Sequence, residues 1–384
     1  MNYSISKLIF VLVLLIPNVI GCRQITSEKA NKNQNLTLKD AIQDKFYIGV
    51  AMNSDQILGK DKKGIDIILK HFNSIVAENC MKSAIIQPKE GLFNFEMSDK
   101  FVEFGQKNNM WIIGHTLIWH SQAPKWFFTD DKGKDVSREV MIARIKSHIS
   151  TLVGRYKGKV NGWDVVNEAF EDDGSWRKTK FYEIIGEDYI KLAFQFAHEA
   201  DPKAELYYND YSMAKEERRN AVVKMVQSLQ KEGIKIDAIG MQAHITMDYP
   251  SIEDEEKSIV AFGNLSLKVM ITEMDLSTIP FPSQNITADV ATSYEFKKEY
   301  DPYANGLSDS AALVIHDRYL SFFKLFLKQK NVISRVTMWG VQDGQSWKNN
   351  WPIKGRTDFP LLFDRNYKAK PIVESIINEA VGKQ

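Results

Sequence analysis

The sequence predicts an α/β fold, a single (β/α)8 barrel, on three observations. Eight short, β-rich apolar runs recur along the chain, segments with apolar residues three and four apart separate them, and every run leads into polar or aromatic residues. Alternating strands and helices imply a parallel sheet covered by helices. Eight such units in roughly 350 residues fit one closed barrel with some long loops. The rival, an open doubly wound sheet, usually carries a G-x-G-x-x-G turn after an early strand, and the sequence has none.

The runs are, in order, residues 46–51 (FYIGVA), 74–77 (SIVA), 111–114 (WIIG), 163–166 (WDVV), 205–208 (ELYY), 238–241 (AIGM), 268–272 (KVMIT) and 335–338 (RVTM). β-Branched and aromatic residues dominate them, which suits a pleated, buried surface. Among the intervening segments, 140–156, 189–200 and 319–329 show the helical period most clearly. The first run leads to Asn53, the second to Glu78 and Asn79, the third to His115 and Thr116, and the fourth to Asn167 and Glu168. The fifth leads to Asn209 and Asp210, the sixth to Gln242 and His244, the seventh to Glu273 and the eighth to Trp339. In a barrel the C-terminal ends of the strands converge on one mouth. One polar end means little; eight together describe a deep acidic site lined with hydrogen-bonding groups and tryptophan. The long stretch 277–309 after the seventh run is expected to form a rim of that cleft.

The N-terminus reads as an address. Lys7 precedes the apolar run 8–16 (LIFVLVLLI), too short for a membrane span of about 20 residues and suited to a secretory signal. A plain signal peptide cut near Gly21 is the simpler reading. The sharper one is a bacterial lipoprotein, because Val19-Ile20-Gly21-Cys22 resembles a lipobox and Cys22 would carry the lipid. Residues 23–35 are polar, as a tether is. The expected organisation is a signal peptide over 1–21, a tether over 22–35 and one catalytic domain over 36–384. Membrane contact would be through the lipid alone, at the outer membrane or cell surface. Cys80 is then expected to be a buried free thiol.

Composition narrows the function. With 50 Lys+Arg, 49 Asp+Glu and 44% hydrophobic residues, the chain is neither disordered nor basic in the way nucleic-acid proteins are. Two cysteines exclude a disulfide scaffold and a four-cysteine zinc site. His115, His120 and His244 match no H-E-x-x-H spacing, and no G-x-S-x-G is present. Neither metal nor cofactor is expected.

Two carboxylates facing each other across a barrel mouth suit glycoside hydrolysis, where one is protonated to donate and the other ionised to attack or to activate water. The apolar strand before Glu168 favours a raised pKa, as an acid needs. His244 is placed to hydrogen-bond Glu273 and keep it ionised, with Asp275 holding the imidazole in turn.

The motifs then resemble a known family. Glu78-Asn79-Cys80-Met81-Lys82, Gly114-His115-Thr116-Leu117-Ile118-Trp119-His120-Ser121-Gln122, Trp163-Asp164-Val165-Val166-Asn167-Glu168-Ala169, Tyr208-Asn209-Asp210-Tyr211, Ile271-Thr272-Glu273-Met274-Asp275, Trp339-Gly340-Val341-Gln342-Asp343 and Pro360-Leu361-Leu362-Phe363-Asp364 are similar to blocks of glycoside hydrolase family 10, in that family's order from about Tyr47 to Pro371. The resemblance implies a retaining endo-β-1,4-xylanase acting on xylan or xylo-oligosaccharides, a monomer needing no cofactor. Glu168 matches the acid/base, Glu273 the nucleophile and Asn167 the residue that contacts the sugar 2-hydroxyl. His244 and Asp275 match the nucleophile's support, with Gln242 beside them. Glu78, Asn79 and Lys82 match the grip on non-reducing-side sugars. His115, Trp119, Gln122, Trp339 and Trp347 match the walls at the scissile bond, and Asn209 and Tyr211 the leaving-group side. A cis peptide between His115 and Thr116 is also implied. The sequence departs from the family at Ser83, Ile113 and Ala243, where a Trp, an Arg and a Gly or Ser are usual; these bear on sugar affinity and not on the reaction. A barrel endoglucanase and a non-catalytic glycan-binding lipoprotein remain as alternatives.

Overall fold

The computed structural model describes Met1 and residues 36–383. The expected signal peptide, Cys22 and tether lie outside the described residues. Nine strands form: β1 (Tyr47–Met52), β2 (Ser74–Ala77), β3 (Trp111–Trp119), β4 (Gly162–Asn167), β5 (Glu205–Asp210), β6 (Ala238–Met241), β7 (His244–Ile245), β8 (Lys268–Leu276) and β9 (Ile333–Met338). β1 to β6 pair in sequence, β6 pairs with β8, β8 with β9, and β9 returns to β1, all in parallel. This is a closed eight-stranded barrel, and the eight apolar runs are its strands. β7 continues the line of β6 past Gln242 and Ala243 and pairs with the end of β8 at Asp275 and Leu276. β3 and β8 run further than the apolar pattern indicated, because residues beyond the polar ones at their middles still pair with neighbouring strands.

The helices start where side chains satisfy their first backbone N–H groups. Ser137, Thr179, Ser251 and Ser308 cap Arg138–Arg155, Lys180–Ile185, Ile252–Gly263 and Asp309–Lys328 in this way. The last of these begins well before residue 319, the first residue of the periodic stretch. Its first turns leave Leu313 and Val314 exposed, so that part shows no buried apolar stripe to read.

Inside the barrel, Ala51, Val76, Ile113, Tyr207, Ala238, Met270 and Trp339 pack as one cluster. Ile113 therefore lies near the site, packed with Trp339 inside the barrel. Two residues before His115 on the same inward face of β3, it fills the layer beneath that histidine. Buried Arg335 lies in the same layer, with its guanidinium over the Tyr207 ring. Ser83 is also turned inward, its hydroxyl donating to the Leu117 carbonyl at 3.4 Å. Cys80 is a buried free thiol, pushed up to about 12 by burial. Among the described residues no helix is long and apolar enough to cross a membrane.

Candidate active site

The mouth is built by backbone irregularities at the strand ends. The pairing register shifts between His115 and Ile118 on β3, between Asp164 and Val166 on β4, and between Ile271 and Met274 on β8. Such bulges re-aim side chains. On β8 the shift turns two consecutive residues to one partner: the Thr272 hydroxyl donates to Asn209 Oδ1 at 2.6 Å, and Glu273 Oε1 accepts from Asn209 Nδ2 at 2.8 Å. Glu168, Ser212 and Ala243 each adopt positive φ just beyond β4, β5 and β6, a left-handed conformation costly for residues with a side chain. The backbone ladder continues through these turns. Glu168 N–H donates to Asn209 O, Gln242 N–H to Asp210 O, and Glu273 N–H to Gln242 O. The expected cis peptide lies between His115 and Thr116.

Glu168 is buried and accepts three side-chain bonds: from Trp119 Nε1 at 2.8 Å, Gln242 Nε2 at 3.0 Å and Asn167 Nδ2 at 3.1 Å. Burial nevertheless pushes its pKa up to about 7, with the nearby Asp210 charge adding to the rise and the bonds from Gln242 and Trp119 opposing it. Glu273 is equally buried, and burial alone would raise it too. The bond with His244, the charges of His115 and His244, and the Asn209 amide outweigh that, and its carboxyl lies below the ordinary value. His244 Nε2 stands 3.4 Å from Glu273 Oε2, and its Nδ1 is 3.1 Å from Asp275 Oδ1. Asp275 also accepts from Trp347 Nε1 at 2.7 Å and faces the buried Lys348 ammonium at 3.7 Å. The two carboxyl groups thus sit in one cleft with their pKa values moved in opposite directions.

The cleft encloses about 470 Å³ and is lined by Glu78, Asn79, Lys82, His115, Trp119, Gln122, Asn167, Glu168, Gln242, His244, Glu273, Trp339 and Trp347, together with Ser121, Ala288 and Val290. Thirteen of the sequence-predicted residues are therefore brought together. Lys82 Nζ donates to Asn79 Oδ1 at 3.0 Å and lies 4.9 Å from the Trp119 ring centroid. Burial lowers the Lys82 pKa, while Glu273, Glu78 and Glu168 raise it in opposition. The indoles of Trp339 and Trp347 meet His115 and His244 edge to face.

Three residues near the site act through buried contacts. Asn209, at the end of β5, is fully buried and donates to Glu273 and Asn167, so it positions carboxylate and amide. Gln242 stands between the two carboxyls, its side-chain amide donating to Glu168 Oε1 at 3.0 Å and its backbone carbonyl accepting from Glu273 N–H at 2.9 Å. Tyr211 is 2% exposed, packed under Ala288 and Trp351 and away from the cleft surface. Asp275 acts from behind His244 and lines nothing.

Several contributors went unassigned in the sequence. Asp164 Oδ2 bonds His115 Nδ1 at 2.9 Å and so orients that ring. Asp210 is held by Arg218 at 2.8 Å. Arg177, from the loop after β4, donates to the Tyr211 hydroxyl and to Asp289 Oδ2 at 3.0 Å. Asp210 is a strand end visible in the sequence; the contacts of Asp164 with His115 and of Arg177 with Asp289 span 49 and 112 residues, and no local spacing reveals them. Among the described residues no group of three or more His, Cys, Asp or Glu is arranged to hold a metal ion.

Known proteins resemble the chain over nearly all its described residues. The profile of glycosyl hydrolase family 10 matches residues 37–379. The chain is 51% identical to endo-1,4-beta-xylanase A of Xylanibacter ruminicola over 341 residues, covering 89% of this chain and 92% of that protein. It is 38% identical to an endo-1,4-beta-xylanase of Geobacillus stearothermophilus, covering 89% of this chain and 98% of that one. Among solved structures, an endoxylanase of the same family retrieved from a sugarcane soil metagenome superposes with a TM-score of 0.87 at 45% identity, over 89% of this chain and 99% of that one. A family match over nearly the whole described barrel, with relatives this close, decides the matter: the chain belongs to glycosyl hydrolase family 10.

Proposed function

We propose that the protein is a retaining endo-1,4-β-xylanase, with xylan or xylo-oligosaccharides as substrate. The observation that carries the reading is the division of state between two carboxyls in one cleft: Glu168 keeps its proton up to about 7, while Glu273 is held ionised. Glu273 attacks the anomeric carbon as Glu168 protonates the leaving oxygen. A glycosyl-enzyme ester forms, and Glu168 then removes a proton from the water that hydrolyses it. His244 and Asp275 keep the nucleophile ionised, and Asn209 fixes its rotamer. Asn167 is placed for the sugar 2-hydroxyl. Glu78, Asn79 and Lys82 offer acceptors and donors to the non-reducing-side units, and Trp339 and Trp347 give flat walls to the ring. Xylan as the substrate is supported by relatives that are named endo-1,4-beta-xylanases.

The test compares soluble xylan with carboxymethyl cellulose. Reducing sugar is expected from the first alone, with the β-anomer released initially; equal hydrolysis of both polymers overturns the specificity. With aryl xylobiosides of acidic phenols, Glu168→Ala is expected to retain the first step, accumulate the intermediate and recover turnover with azide. Glu273→Ala loses the covalent route, and azide gives an inverted product. Exchange of these two outcomes reverses the assignments.

The same reading extends to location. A signal peptide over 1–21, lipidation of Cys22, a tether over 22–35 and a monomeric catalytic domain over 36–384 make this a lipoprotein of the outer membrane or cell surface. Val19-Ile20-Gly21-Cys22 and the short apolar run before it support this. Palmitate labelling that persists in Cys22→Ser would exclude it.

A further inference from the structure

The long connection after β8 does more than edge the cleft. In an eight-strand ring β2 and β6 stand opposite each other. Glu78, Asn79 and Lys82 follow β2, so a sugar chain gripped there leads across Glu168 toward the ends of β5 and β6, and the departing portion must lie on that far side. There the structure is closed over. Ala288 packs on Tyr211 and Trp351. It lines both the open cleft and a small enclosed cavity behind it, which Tyr211, Ser212, Thr246, Tyr249 and Phe281 also line. Ala288, with His244, thus separates the cleft from a void of about 20 Å³ beneath the connection.

The neighbouring residue holds the partition in place. Asp289 Oδ2 accepts from Arg177 Nη1 at 3.0 Å, which ties the connection after β8 to the loop after β4. Arg177 also reaches Glu171 at 3.3 Å and the Tyr211 hydroxyl, so it is fixed independently of Asp289. The Asp289 carboxylate is further shaped by its own turn, accepting from Ala291 N–H at 2.9 Å. Its side chain is 27% exposed against 9% for Arg177, so water reaches the pair and can replace it.

We propose that residues 286–291 (ITADVA) form a cover over the leaving-group side of the cleft, latched by the Asp289–Arg177 ion pair, and that this latch selects substrates by how many sugar units extend beyond the scissile bond. Closed, the cover leaves room for a short leaving group. A longer one must displace Ala288 and separate Asp289 from Arg177. This inference rests on the xylanase reading, and the experiment separates the two. An aryl β-xylobioside places no sugar beyond the scissile bond, so it reports the chemistry without the cover. Xylohexaose and soluble xylan report both.

For Asp289→Ala, kcat/KM on xylohexaose is expected to rise severalfold relative to that on the aryl xylobioside, which stays near wild type. Asp289→Glu, which keeps the pair, should retain the wild-type ratio. In the wild-type enzyme, molar sodium chloride should raise the same ratio by screening the pair, with no such response in Asp289→Ala. A ratio unchanged in Asp289→Ala and insensitive to salt in the wild type overturns the latch, as does a parallel change on both substrates. If the wild-type enzyme fails on the aryl xylobioside, the functional reading falls instead.

Discussion

Glu168 and Glu273 are one side chain in two electrostatic settings, and the difference is set by neighbours more than by depth. Both are buried; one faces Asp210, and the other faces His244 and Asn209. The pH dependence follows. Glu168 is raised above the ordinary 4.5 to about 7, so the proton-bearing form persists to that pH and kcat/KM should fall as pH rises through it. Glu273 is lowered, so activity should fall on the acid side only below the ordinary carboxylate range. Asp210→Asn removes one contributor to the Glu168 rise, and the alkaline limb should move to lower pH without reaching that of a solvated carboxyl, because burial remains. An alkaline limb that stays put in a pH profile of the variant would assign the rise to burial alone. Glu168, Glu273 and His244 were legible in the sequence because strand ends are short and positionally defined. Arg177 was not, since its partner Asp289 lies 112 residues away.

Elements carry the next layer of the site. β6 contributes through a residue it lacks: a Cβ on Gly240 would lie 2.4 Å from Asn209 Oδ1 and 2.8 Å from Thr272 Cγ2. Only glycine lets Asn209 reach between β4 and β8. Gly240→Ala should therefore displace Asn209 from Glu273 and lower kcat about ten- to a hundredfold, the kinetic equivalent of one buried hydrogen bond. The circular dichroism spectrum should stay that of a folded barrel, and wild-type kcat in the folded variant would refute the role. Strand positions were readable from apolar runs, whereas the register shifts on β3, β4 and β8 were not. A bulge leaves the residue pattern intact and changes only which face each residue takes. For that reason the sequence reveals neither the part of Thr272 nor the bonds from Asn209 to Glu273 and from Gln242 to Glu168.

At the scale of the whole molecule, eight β/α units and their order were plain in the sequence, because every unit must bury its own strand. The fold of 277–309 over the mouth is legible in the sequence only as a rim. Its contacts are with loops after other strands and follow no period. Closure of the ring has a consequence for how the protein is made. β1 needs β9 as a neighbour, Tyr47 against Arg335, and the helix Leu38–Ile42 packs on Pro371–Ala380. Until the last strand leaves the ribosome, β1 and β8 both present unpaired edges, and the sheet cannot be sealed. A nascent chain therefore gains the pairing that closes its sheet only when nearly the whole of it has been made.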